Sequence, residues 1–301
     1  PKVKFFEIPW VKFLNNVVII GTCAFTAYLL LSNLPWYIPE LGDGSSVIPA
    51  FYLIVLAAIC FAVYSSTDIK YVRFLSIATT WLFIALIGFM WADAFLFGDS
   101  ELSAFTQNIG LIGNYFANIN EFVLPLNDYH EFYLFWWFAW SIMIGQFTSR
   151  FVGGLKTYQV LGAMLIFPSI PIAIWFSVLY HYHEAGIPTA GIKNFAMVFV
   201  GIVFVINSLD SLIRLYTDNL NLTVKRLGKF KYIAMNVIAL LLLTLLFKLE
   251  FLQIQWVGAL VIGLSFICLG FIAYSKFKTV SNIEGSPKAN KIDYTKIETI
   301  S

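Results

Sequence analysis

Seven aromatic side chains fall within nine consecutive positions: Phe132, Tyr133, Phe135, Trp136, Trp137, Phe138 and Trp140. A lipid-facing helix can be built from Leu and Val alone, so this much ring surface calls for a reason. One chemistry that needs it is a cage for a cation whose charge is spread over methyl groups, because indole faces attract such ions. Tight helix packing with an interfacial aromatic belt explains the same residues without a ligand. A second cluster interrupts the run VGIVFVINSLDSLIRLYTDNL, where Asn207, Ser208, Asp210 and Ser211 break an apolar stretch and Arg214 follows Asp210 by four residues. Polar groups in such a setting need partners. Asn207 and Ser208 could give oxygens to a sodium ion or line a wet path, and an Asp210–Arg214 pair could fasten helices together. His130, His181 and His183 make a third set, in which HYHE at 181–184 with His130 could hold copper or zinc, or serve as polar residues at helix ends. No HExxH, GxxxxGK[ST] or CxxC occurs, and no Ser has a His and an acid arranged around it, so no catalytic activity is expected.

These residues need elements that work in lipid. Of the 301 residues 59% are hydrophobic and 12% charged, and the mean hydropathy is +0.80, which excludes a soluble globular domain. The net charge of +2 is divided among loops, which argues against nucleic acid as a partner. Cys23, Cys60 and Cys268 sit in apolar runs and read as small buried hydrophobes. Apolar segments at 12–32, 48–66, 73–95, 131–149, 156–180, 192–214, 231–247 and 252–275 predict about eight transmembrane helices. With the N-terminus in the cytoplasm, every Lys and Arg except Lys193 and Lys248 falls on the cytoplasmic side. The positive-inside rule therefore predicts both termini there and an even number of spans. The domain plan is a cytoplasmic segment at 1–11 with no cleavable leader, a transmembrane helical domain at 12–278 and a cytoplasmic tail at 279–301. Between the third and fourth spans, Phe105, Ile109, Ile112, Phe116 and Ile119 recur at helical spacing, with Ser103 as a candidate cap. They predict an external amphipathic helix that covers the bundle or braces a gate.

The stretch FYLFWWFAWSIMIGQFTSRFVGG resembles the betaine/choline/carnitine transporter family: Trp136, Trp137 and Trp140 fall on its WW..W pattern, followed by the Gly145, Phe147 and Arg150 framework. FVINSLDS is similar to the family stretch ending in a TSADS-like sequence, and IGNYF before the aromatic helix also matches. The order of elements over about 48–278 follows the family's last seven spans. The resemblance implies that Tyr133, Trp136, Trp137 and Trp140 belong to the helix that handles quaternary ammonium solutes. It also implies that Asn207 and Ser208 stand where sodium-dependent members place a Thr-Ser pair. Asn replaces the first hydroxyl with an amide oxygen, and Leu134 stands where an aromatic residue is often found. Family members have about twelve spans arranged as inverted five-helix repeats. This chain keeps the second repeat and the last two helices of the first, and 12–32 reads as an anchor or the family's first peripheral helix.

The expectation is thus an all-α, polytopic membrane bundle resembling a truncated LeuT-like transporter fold, in a bacterial cytoplasmic (inner) membrane. It would be transporter-like for a quaternary ammonium or related compatible solute, with lipid around it. Sodium is the one ion the resemblance suggests, and no other cofactor is expected. A homo-oligomer or a complex with other membrane chains would complete it. The alternatives are a non-transporting accessory subunit of a larger complex and a metal-using membrane enzyme centred on the HYHE loop.

Overall fold

A computed structural model describes residues 4–96, 98, 100–149 and 155–281. Apolar runs of this length in lipid must satisfy their backbone internally, and the described chain does so with helices. In order they are α1 (Pro9–Tyr37), α2 (Pro49–Ser65), α3 (Ile69–Phe95), α4 (Leu102–Ala117), α5 (Asp128–Ser149), α6 (Thr157–Glu184), α7 (Ile192–Asn219), the single turn α8 (Val224–Leu227), α9 (Lys229–Lys248) and α10 (Ile254–Ser281). Six of them, α1, α3, α6, α7, α9 and α10, are long and apolar enough to cross a membrane. The other two expected spans are also helical but differ in kind. α2 has only 17 residues, and in α5 indoles, phenols and Gln146 dilute the apolar character. The outer shell carries Phe74, Trp81, Phe167 and Phe266 well exposed, a surface that lipid rather than water must cover.

The sequence expectation for the first span is overturned by its position. α1 is no peripheral anchor: it packs against α2, α5, α7, α9 and α10 and forms the axis of the bundle. Ile19, Cys23, Leu31 and Leu34 are buried there with Phe51, Val55 and Ile59 of α2, Leu209 and Ile213 of α7, and Leu240 and Phe247 of α9. Its polar residues survive in this setting by bonding back to their own helix. Asn16 Nδ2 donates to Lys12 O at 2.7 Å, Thr22 Oγ1 to Val18 O at 2.9 Å and Thr26 Oγ1 to Thr22 O at 2.9 Å. A second, smaller core gathers Leu86, Met90 and Phe95 of α3, Val178 and Tyr182 of α6 and Val200 of α7, with Phe105 of α4 laid against it.

Side-chain bonds between helices show which ends lie together. Asn194 Nδ2 at the start of α7 donates to Tyr37 O at the end of α1, at 2.9 Å. Lys193 meets Asp93 near the end of α3 at 3.0 Å. Phe105 of α4 packs on Phe95 with ring centroids 5.4 Å apart, so the amphipathic helix caps this end of the bundle. Its cap is Glu101 rather than Ser103, whose hydroxyl instead donates to Glu101 Oε2 at 3.0 Å. At the opposite end Asp68 caps α3 by accepting from Lys70 N at 2.9 Å. There too the chain reverses between α7 and α9, through Asn221 (φ 57°) and Gly228 (φ 77°) in left-handed conformations.

Candidate functional site

The aromatic helix α5 is held by two neighbours. Against α10 the approach is close at Gly258, where a Cβ would stand 2.8 Å from the backbone oxygen of Phe135; only a glycine lets the helices meet there. Against α1 the contact is partly polar. Gln146 Nε2 donates to Asn15 Oδ1 at 2.9 Å, and Asn15 Nδ2 returns a longer bond to Gln146 Oε1 at 3.4 Å. This fixes the rotation of α5, and with it the direction of its rings. Ala139 and Met143 enter the core, and Phe132, Trp136 and Trp140 lie against it. Trp136 and Trp140 meet edge to face at 6.5 Å and 90°, and Tyr133 stands edge-on to Trp136 at 5.9 Å. Trp137, also expected at the site, touches Trp136 at 5.3 Å but is 57% exposed on the outer face of α5.

The buried face of this wall has one chemically unusual property. The Nε1–H groups of Trp136 and Trp140 are both buried without a hydrogen-bond partner. A buried donor left unpaired costs about 1–3 kcal/mol, so each is a group that an acceptor would satisfy. α1 brings rings of its own against the start of α5. Phe25 lies 5.7 Å from Phe132 and 5.1 Å from Phe247 of α9, and Tyr28 stacks on Phe247 at 6.3 Å and 19°.

The polar residues of α7 do not join this wall. Asn207 faces α3, where its amide oxygen accepts from Ser76 Oγ at 2.9 Å, and Ser208 is the next residue on the same helix. Asp210 faces α2 and is fully buried. Its Oδ2 accepts from Ser65 Oγ at 2.6 Å and its Oδ1 from Ser211 Oγ at 3.1 Å. The expected Asp210–Arg214 pair is not formed. Arg214 reaches forward to Asp218, Nε to Oδ2 at 3.2 Å, and places a second N–H 3.5 Å from Ser66 O. The reason is that the end of α2 stands against this part of α7: Ser65 takes the carboxylate, while the exposed carbonyls of that helix end attract the guanidinium. The network runs on through Tyr232 of α9, whose hydroxyl lies 2.9 Å from Ser66 Oγ and 3.2 Å from Thr217 Oγ1.

The histidines remain apart. His181 is buried, 2.8 Å from Ser100 Oγ and packed on Phe95, whereas His183 is exposed. His130 accepts from Leu126 N at 3.1 Å beside the start of α5. Among the described residues no three His, Cys, Asp or Glu side chains come together to hold a metal. Arg150 and the side chain of Phe147, part of the aromatic motif, lie outside the described residues. Sequence reasoning missed the cluster in which Asp93 Oδ2 receives both Tyr182 Oη at 2.6 Å and Lys193 Nζ at 3.0 Å. The signal was present in an acid inside a span and a lysine on the side otherwise poor in cations. Two apolar grooves of about 560 and 290 Å³ lie on the outside, one between α2 and α9 and one between α3 and α7. No indole lines either of them.

The chain is similar to known transporters over part of its length. Glycine betaine transporter 1 of Vibrio parahaemolyticus is 25% identical over 140 residues, which is 46% of this chain and 26% of that protein. Uncharacterized transporters of Mycobacterium bovis and Mycobacterium tuberculosis are 28% identical over 86 residues, 26% of this chain and 14% of theirs. The matches thus span about a quarter or less of the relatives' own length. No protein-family model and no solved structure matches.

Proposed function

We propose that this chain, which is similar over part of its length to a glycine betaine transporter, binds a small zwitterion with a methylated ammonium group and takes part in moving it across the membrane. The observation that carries the reading is the pair of buried, unpartnered indole N–H groups of Trp136 and Trp140. A quaternary ammonium has no proton to donate and no lone pair to accept, so it is held by ring faces. A carboxylate on the same molecule accepts two N–H bonds. A wall offering both suits a betaine better than a plain amine or a sugar. Tyr133, Trp136 and Trp140 would supply the ring faces for the methyl groups.

Two finer points belong to the same reading. The Asn207 amide oxygen and the Ser208 hydroxyl are hard donors of the type sodium takes, and Asn207 Oδ1 keeps one lone pair beyond the one used by Ser76. Partner chains, as further copies or as other membrane proteins, would take part in the same assembly. A non-transporting accessory subunit is favoured by one observation: the outer grooves are apolar and the indoles sit against a packed core. Calorimetric titration of the assembly, extracted gently from its membrane, with glycine betaine decides between the two. Saturable binding that a solute of equal size without the methylated ammonium does not compete for supports the solute reading. No heat at millimolar concentration leaves the structural one.

A further inference from the structure

We propose that Asp210 is a proton-binding site, a neutral carboxylic acid that latches α7 to α2 and comes apart when the proton is lost. The argument is geometric and does not depend on the solute reading. The carboxyl is fully buried and is met by two hydroxyls, Ser65 at 2.6 Å and Ser211 at 3.1 Å. Among the described residues no cation joins it. The Arg214 guanidinium, one helical turn along α7, is engaged with Asp218 Oδ2 and Ser66 O. Hydroxyls alone compensate a buried negative charge poorly, whereas a carboxylic acid is satisfied by them: it donates one hydrogen bond and accepts others. The 2.6 Å contact with Ser65 serves equally with the acid as donor.

The groups around Asp210 do not supply the missing charge. α1 brings Cys23, a buried thiol. α2 brings Ser65 and Ser66, and α9 brings the Tyr232 hydroxyl, itself bonded to Ser66 and Thr217. α7 adds Tyr216, bonded to Asn236, and the Arg214–Asp218 pair. α3 meets α7 a turn earlier, through Ser76 on Asn207. Among the described residues Arg214, one turn along α7, is the cation placed to respond. Deprotonation of Asp210 releases a proton to water and leaves a carboxylate within a turn of that guanidinium. Arg214 can answer only by leaving Asp218 and the carbonyl end of α2, which loosens the α2–α7 contact. Two arrangements of one side chain, selected by one proton, form a switch of the kind that intramembrane carboxyls provide.

The test is infrared difference spectroscopy of the full chain in lipid nanodiscs across a pH series, with Asp210→Asn as the isosteric reference and Ser65→Ala as the perturbing variant. The expected result is a protonated carboxyl C=O band at neutral pH that is missing in Asp210→Asn, shifts in Ser65→Ala and titrates away at alkaline pH. Thermal unfolding provides a second readout. The wild type should lose stability as pH rises through that transition, while Asp210→Asn stays flat. If no such band is present at neutral pH, Asp210 is ionised and the proposal fails. If the band is removed at constant pH by sodium, the ligand is a metal cation and the proposal fails as well.

Discussion

Trp140 contributes two separable things, a ring face and an N–H, and substitutions divide them. Trp140→Ala removes both, and loss of the cation–π contact alone should weaken glycine betaine binding by roughly 1–2 kcal/mol. Trp140→Phe keeps a ring and removes only the donor. It should therefore weaken a betaine while leaving a carboxylate-free analogue such as choline nearly unaffected; equal losses for the two ligands would argue against the N–H role. Asn207→Leu should abolish sodium dependence of binding while the protein still inserts, and an unaltered sodium response would remove that assignment. The residue scale is also where the sequence was most and least legible. Ring density made the wall visible, but the split between inward Trp136 and Trp140 and outward Trp137 is set by the Asn15–Gln146 contact, 131 residues apart in the chain. Asp210 and Arg214 had the spacing of a helix pair. What diverted them was the end of α2, which no local pattern announces.

Among the elements, α5 and α1 determine the site together. Hydropathy identified both as apolar, yet it cannot distinguish a helix that faces lipid from one buried in protein. For α1 the better signal was polar: Asn15, Asn16, Thr22 and Thr26 all point into protein, as intramembrane polar residues must. The α5–α10 contact can be tested without touching the indoles. At Gly258 an added methyl would meet the Phe135 backbone, so Gly258→Ala should cost about 1–3 kcal/mol by overpacking. Gly263→Ala on the same helix has open space and should be neutral. Thermal unfolding of the two variants compares them directly, and equal midpoints would contradict the packing. A double-mutant cycle on Asn15→Leu and Gln146→Leu should give a coupling of about 0.6 kcal/mol, the usual size for hydrogen bonds between membrane helices. A coupling of zero would mean that this bond does not fix the rotation of α5.

For the molecule as a whole, charge and architecture tell the same story from different ends. Basic residues gather where α2 turns into α3 and α7 into α9; Lys229, for example, sits 4.2 Å over the Tyr64 ring. The opposite end holds α4 and the Asp93–Lys193 contact. A cysteine placed at Thr67 should be labelled only from the cytoplasm, and one at Ser45 only from outside; the reverse pattern would invert the assigned orientation. The helical membrane bundle was legible because span length is a property of whole segments. The central claim is that a methylated zwitterion docks on the buried indole donors, and it is tested most directly by nitrogen–proton correlation spectra of the indole-labelled protein titrated with glycine betaine. The account predicts that the Trp136 and Trp140 Nε1–H signals move together and saturate while exposed Trp137 stays in place. Signals that do not move at saturating solute, or movement confined to Trp137, would contradict it.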